Sequence, residues 1–202
     1  MNALDVPDHE LSAFIDEAMD LAKRHWASLN ERRTYPLTNG KQTTELLSMP
    51  WADEGCGKEV LQDSKLIAEL ARPSSPRVFG YVVDSGEPVG AVAEVLAAAL
   101  NQNVTSRRSA PAAATIERTV VSWLGDAVGC PAFRGSLSGG GSAANLMGLA
   151  MAREAKMASN ENGAWPCVVY ASEQVHMSIP KAVALLGIGR RKLRLIPTDD
   201  DF

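Results

Sequence analysis

The chain has 202 residues and a mass of 21.6 kDa, room for one sizeable core or a domain with an arm, but not two full domains. Hydrophobic residues at 46% and charged residues at 22% are ordinary for a globular protein, which excludes wholesale disorder and collagen-like fibre. A net charge of -4 and a pI near 5.4 argue against nucleic acid or an anionic membrane surface as the main partner.

The N-terminus, MNALDVPDHE, is acidic and polar where a secretory signal is basic and then apolar. A soluble, cytoplasmic protein is therefore expected. Asp8 is placed to cap a first helix, in which Leu11, Phe14, Ile15, Ala18, Met19, Ala22, Trp26 and Leu29 follow helical spacing. Asn30 to about Gly57 carries little pattern and reads as an extended arm or loop. A second helix is expected from Glu59 to Ala71, stopped by Pro73 and Pro76. RVFGYVVDSGEP follows as a β-prone run. Glu87 to Leu100 is alanine-rich and helical in pattern; its apolar core, Gly90 to Leu100, is too short to span a bilayer and is interrupted by Glu94.

The texture changes at Pro111. PAAATIERTVVSWLGDAVG opens with a proline suited to a first helical turn and closes at Gly129 and Pro131. FRGSLS reads as a short strand, and Ser142 to Met157 as a helix. After a polar loop come a strand, CVVYAS, a helix, SIPKAVALLGIG, and a strand, KLRLIP. Alternating strands and helices point to an α/β fold with a mostly parallel sheet. Cys56, Cys130 and Cys167 lie far apart and odd in number, which suggests free thiols, and no cluster of Cys and His has zinc-ligand spacing.

The chemistry-bearing signal is GSLSGGGSAANLMGLAMARE, Gly135 to Glu154. Glycines between a strand and a helix let backbone N–H groups approach an anion, and the helix start adds free N–H groups and a positive dipole end. The Ser142 hydroxyl adds a donor. The same glycines would equally serve a plain turn. The Lys-Ser/Thr pair of an ATP-type phosphate loop is absent. Gly139-x-Gly141-x-x-Ala144 fits a degenerate dinucleotide fingerprint, so an NAD(P)-binding domain is the alternative reading. The strand before it is poorly apolar, and Glu173 comes later than the about twenty residues that fingerprint expects. His176 falls after a strand end and before a helix that Ser178 could cap, the crevice position of α/β folds. A histidine there could stack on a planar cofactor or exchange protons near neutral pH, or simply serve the helix cap.

Together these segments resemble the group II pyridoxal-phosphate-dependent amino-acid decarboxylases. GSLSGGGSAANLMGLAMARE is similar to that family's SGGSEAN-type motif, and YASEQVHMSIPKAVALLG to its Y-x-S-x-x-x-H-x-S-x-x-K-A segment. PRVFGYV, the NQN at Asn101, PAAATIERTVVSWLG and LIPTDDDF add matches in the family's order, from Arg72 onward.

The resemblance implies a helical arm over residues 1–110, then the first portion of a fold-type I large domain over residues 111–202. It implies pyridoxal 5'-phosphate (PLP) as cofactor, an L-amino acid as substrate, carboxy-lyase chemistry and a homodimer. By the same resemblance Gly140, Gly141 and Ser142 hold the cofactor phosphate. His176 stacks on the pyridine ring and helps protonate the substrate carbon after carbon dioxide leaves, and Phe79 and Tyr81 lie by the substrate side chain. Ala143 stands where the family usually has Glu, which weakens a helix-start charge interaction. None of Lys23, Lys41, Lys58, Lys65, Lys156, Lys181 and Lys192 sits in the family's His-Lys context, and Lys181 matches a helix lysine of the motif. The expectation is an N-terminal portion of a decarboxylase, inactive alone, or else a truncated homologue serving as an interaction module.

Overall fold

The computed structural model describes residues 6–35, 38–48, 55, 57–71, 75, 77–79, 86–163 and 166–200. They fall in two units, residues 1–101 and 102–202.

In the first unit, α1 spans Asp8–Ser28. Its N-cap is Pro7 rather than Asp8: the Pro7 carbonyl accepts the N–H groups of Glu10 and Leu11, both at 2.9 Å. Proline's fixed φ pre-sets that entry, so Asp8 becomes a first-turn residue whose charge faces the positive helix end. The stretch expected to be a loop contains α2, Gly40–Leu47. The Asn39 side chain takes the Gln42 N–H at 3.0 Å, and the Gln42 side chain takes the Asn39 N–H at 3.0 Å, a reciprocal capping box. A 3₁₀ turn at Gly57–Glu59 leads into α3, Val60–Leu70, where Leu61 is buried.

Arg32 ties this unit together. Its Nη1 donates to the Ala68 carbonyl at 2.8 Å and to His25 Nδ1 at 2.9 Å, so the end of α1 is held to α3. Arg77 in turn donates to the Arg32 carbonyl. Partial burial, and then the Arg32 charge, lower the His25 pKa from its ordinary value. Val78 and Phe79 of the β-prone run form no strand, and residues 80–85 lie outside those described. The unit ends with α4, Pro88–Leu100, which has proline in its first turn and Asn101 in the left-handed region at its end.

The second unit opens with α5, Pro111–Ala127, preceded by the fully buried Ala110. FRGSLS is not a strand. Residues 133–138 are exposed throughout, and the Leu137 N–H donates to the Glu117 carboxylate at 2.9 Å instead of to a neighbouring strand. α6 spans Gly141–Met157 and ends at Ala158, whose φ of 45° allows the short α7, Ser159–Asn162, to follow directly. That turn occupies the start of the expected polar loop.

Next come β1, Val169–Ser172, α8, Ser178–Leu185, a 3₁₀ turn at Arg190–Lys192 and β2, Leu193–Ile196. The two strands pair in parallel, Val169 with Leu193 through Ser172 with Ile196. A parallel pair needs a crossover, and α8 supplies it. Beyond the ladder the Glu173 N–H reaches the Ile196 carbonyl at 3.0 Å, and the Glu173 carboxylate accepts the Thr198 N–H and hydroxyl. α8 packs on α6, and its residues Ser178, Ala182 and Val183 are buried. Val183 is 0% exposed, a burial that contributes about 1.5–3 kcal/mol. At the far end of this helix pair, Arg153 of α6 donates to the Leu186 carbonyl at 2.8 Å and to Asn160 Oδ1 at 3.0 Å. The described residues are thus mostly helical with a small parallel sheet.

Candidate active site

The glycine run forms the entry to α6. Gly140 is its N-cap, with φ 117° and ψ 169°, a conformation that residues with a side chain rarely adopt. A Cβ at Gly139, Gly140 or Gly141 would meet nothing within 4 Å, so the approach to the first-turn N–H groups of α6 is open. No side chain caps that turn and no acidic residue stands in it. The donors left free at a helix start, the positive dipole end and the exposed Ser142 hydroxyl form a set suited to a phosphate.

His176 lies at the start of α8. Ser178 does not cap this helix with its side chain as expected, and the reverse contact is made. The Ser178 backbone N–H donates to His176 Nδ1 at 3.2 Å, and the Ser178 hydroxyl lies 2.9 Å from the same nitrogen. The neighbouring helix completes the arrangement: Asn145 Nδ2 donates to Ser178 Oγ at 2.8 Å. Asn145 sits in the second turn of α6, just after Ser142. One hydrogen bond therefore joins the start of the helix carrying the glycine turn to the start of the helix carrying the histidine. Gly140, Gly141, Ser142 and His176, distant in sequence, are brought to one end of the α6–α8 pair, beside the C-terminal end of β1.

Ser178 is 3% exposed, while His176 and Ser142 are exposed, so the buried hydroxyl supports an open ring from behind. The arrangement can hold an anion at α6 and present an oriented imidazole beside it. Asn145 and Ser178 were not among the sequence-derived site residues. The signal was a lone amide inside the apolar run AANLMGLAMA. The dinucleotide alternative loses its footing in the geometry, because the strand that must precede its glycines is absent from residues 133–138. Phe79 belongs to the first unit and is 95% exposed, and Tyr81 lies outside the described residues.

Residues 52–202 match the pyridoxal-dependent decarboxylase conserved domain. The chain is 32% identical to an aromatic-L-amino-acid decarboxylase of Bacillus atrophaeus over 146 residues, 71% of this chain and 30% of that protein. It is 39% identical to a tyrosine decarboxylase of Oryza sativa subsp. japonica over 140 residues, 63% of this chain and 26% of that protein. Among solved structures, mouse CSAD superposes with a TM-score of 0.86 at 19% identity, covering 96% of this chain and 43% of that one. Oryza sativa TDC with PLP and tryptamine superposes with a TM-score of 0.84 at 20% identity, covering 97% and 43%. These likenesses concern the fold. The chain spans about 30% of the length of the curated relatives it matches. With the family model covering most of its length, the chain belongs to the group II PLP-dependent decarboxylases, as a part of the full-length proteins.

Proposed function

We propose that this chain is the phosphate-binding portion of a PLP-dependent decarboxylase acting on an aromatic L-amino acid. It would combine a helical arm, residues 1–110, with the first part of a fold-type I large domain, residues 111–202. The observation that carries the reading is the Asn145–Ser178 hydrogen bond, which sets the Gly140 turn and His176 at one end of the α6–α8 pair. The substrate class is supported by the aromatic-L-amino-acid and tyrosine decarboxylases among the relatives.

Gly140 and Gly141, through backbone N–H groups, and Ser142, through its hydroxyl, would hold the PLP phosphate. When bound, PLP supplies an electron sink for the carbon that loses carbon dioxide. His176 would lie along the ring and hold a proton at an imidazole nitrogen facing the reacting carbon. Phe79 and Tyr81 would border the substrate side chain. The apolar residues exposed on α4, among them Val89, Leu96 and Leu100, support a homodimer in which such faces are covered.

The test uses the protein expressed from its native gene, supplied with PLP and aromatic L-amino acids, with carbon dioxide release as readout. A charge-assisted hydrogen bond of about 1.5–3 kcal/mol predicts that Ser142→Ala weakens PLP binding at least about tenfold. His176→Gln should slow turnover by about 10²-fold or more, the loss expected on removing a positioned proton carrier. Equal PLP affinity and equal turnover in these variants would overturn the assignment.

A further inference from the structure

The structure assigns Asn145 and Ser178 as positioning residues that fix His176 in one tautomer, with its proton on Nε2. The assignment rests on the proposed role of His176 for its use, but on this chain's own geometry for its substance.

The direction of each bond follows from which groups can donate. The Ser178 backbone N–H can only donate, and it points at His176 Nδ1 at 3.2 Å. In this arrangement that nitrogen offers its lone pair, and a neutral imidazole with Nδ1 as acceptor carries its hydrogen on Nε2; the backbone contact is the longer of the two at Nδ1, so the hydroxyl contact decides between the tautomers. The Ser178 hydroxyl, 2.9 Å away, meets the same lone pair and so turns its proton toward the ring. Its oxygen is then free to accept, and Asn145 Nδ2 donates to it at 2.8 Å. The relay runs one way, from the Asn145 amide to the Ser178 hydroxyl to His176 Nδ1.

Burial gives the relay its force. The Ser178 oxygen, in a residue 3% exposed, has little water to turn to, so its hydroxyl orientation is set by Asn145 and the ring. His176 is itself exposed and would otherwise sample both tautomers and several ring orientations. Held from behind at Nδ1, it presents Nε2–H outward at the end of the α6–α8 pair where the glycine turn also opens. A proton carrier next to the proposed cofactor site is useful only if the proton sits on the outward nitrogen. The chain achieves this with one residue from each helix, so α6 sets both the phosphate turn and, through Asn145, the state of the ring.

The test is long-range ¹⁵N–¹H NMR of the His176 ring in the 202-residue chain at a pH of about 8.5, where an ordinary imidazole is neutral. The wild-type ring is expected as Nε2–H. Ser178→Ala leaves only the backbone donor and should give a mixture of tautomers. Asn145→Asp, close to isosteric, offers a carboxylate that can only accept. It should draw the Ser178 proton away from the ring, reverse the relay and move the population toward Nδ1–H. A residue acting only by packing would not produce that inversion. An Nδ1–H ring in the wild type overturns the assignment, as does an unchanged tautomer ratio in Asn145→Asp, the variant that decides if Ser178→Ala does not fold. Titrating PLP into the wild-type sample separates the two readings. If the Gly140–Ser142 amides ignore PLP while the ring behaves as stated, the cofactor reading fails and the tautomer relay stands.

Discussion

Gly140 shows most directly what a single residue contributes. Its φ of 117° is strained for any side chain, yet a Cβ there would touch nothing within 4 Å. The cost of Gly140→Ala is therefore purely conformational, about 1–3 kcal/mol. Gly139 and Gly141 have equally open space and no such φ. Gly141→Ala, at the first residue of α6, should cost nothing or stabilise by a few tenths of a kcal/mol up to about 1 kcal/mol. Chemical denaturation of the three alanine variants checks this, and equal losses at all three positions would contradict it. The need for glycine was legible in the sequence, but which glycine of the run adopts the special conformation was not. The sequence also marked Ser178 as a helix cap. The Ser178 hydroxyl is instead engaged by His176 Nδ1 and Asn145 Nδ2, and His176, two residues upstream, also accepts the Ser178 backbone N–H. Asn145 stayed hidden because its partner is far along the chain, and only the packing of α6 on α8 brings them together.

At the scale of elements, helices with strong apolar spacing, proline starts and glycine ends were legible to within a residue or two in α1, α3, α4, α5 and α6, while α8 starts where expected but stops at Leu185, short of the expected end at Gly187 or Gly189. The strands β1 and β2 emerged from their expected segments, shortened to the residues that pair. FRGSLS failed because it is poorly apolar and nothing among the described residues pairs with it, and the Glu117 carboxylate claims the Leu137 N–H. α2 was missed because it is short and its start is written in a capping box, Asn39 with Gln42, not in apolar periodicity. Asn39→Ala should accordingly lower local helix stability by about 1 kcal/mol, read as faster amide hydrogen exchange in residues 42–47 with the rest unaffected.

The α1–α3 connection carries a pH dependence of its own. Arg32 can only donate, so His25 Nδ1 must accept, and a protonated ring would lose that bond and face a like charge. The folded chain thus holds the His25 pKa below its unfolded value, and the unfolded chain binds the proton more readily. The stabilisation is complete above about pH 6.5, the unfolded value, and is lost as pH falls toward the folded one. Thermal melts of the wild type should show stability declining through that window, and His25→Gln should flatten the decline. An equal slope in both proteins would show that His25 is not its source.

Over the whole molecule, no helix among the described residues is long and apolar enough to cross a membrane, and the sheet is parallel, in keeping with the expected strand–helix alternation. The sheet has two strands among the described residues, so helices dominate a chain whose pattern promised more strand. Apolar side chains on α4 and α5, including Val95, Ile116, Trp123 and Leu124, remain exposed. Exposed apolar faces of this kind are ones that other protein commonly covers, and the chain spans under a third of its curated relatives' length.

The central claim is that the turn at Gly140 and the start of α6 bind the phosphate of PLP. The most direct measurement is an NMR titration of the ¹⁵N-labelled chain with PLP and, in parallel, with pyridoxal, which has the same ring and no phosphate. The account predicts that PLP shifts the amides of Gly140, Gly141 and Ser142 in a saturable way, that Ser142→Ala weakens the response, and that pyridoxal leaves these amides in place. Equal shifts with both compounds, or shifts confined to other residues, would contradict it.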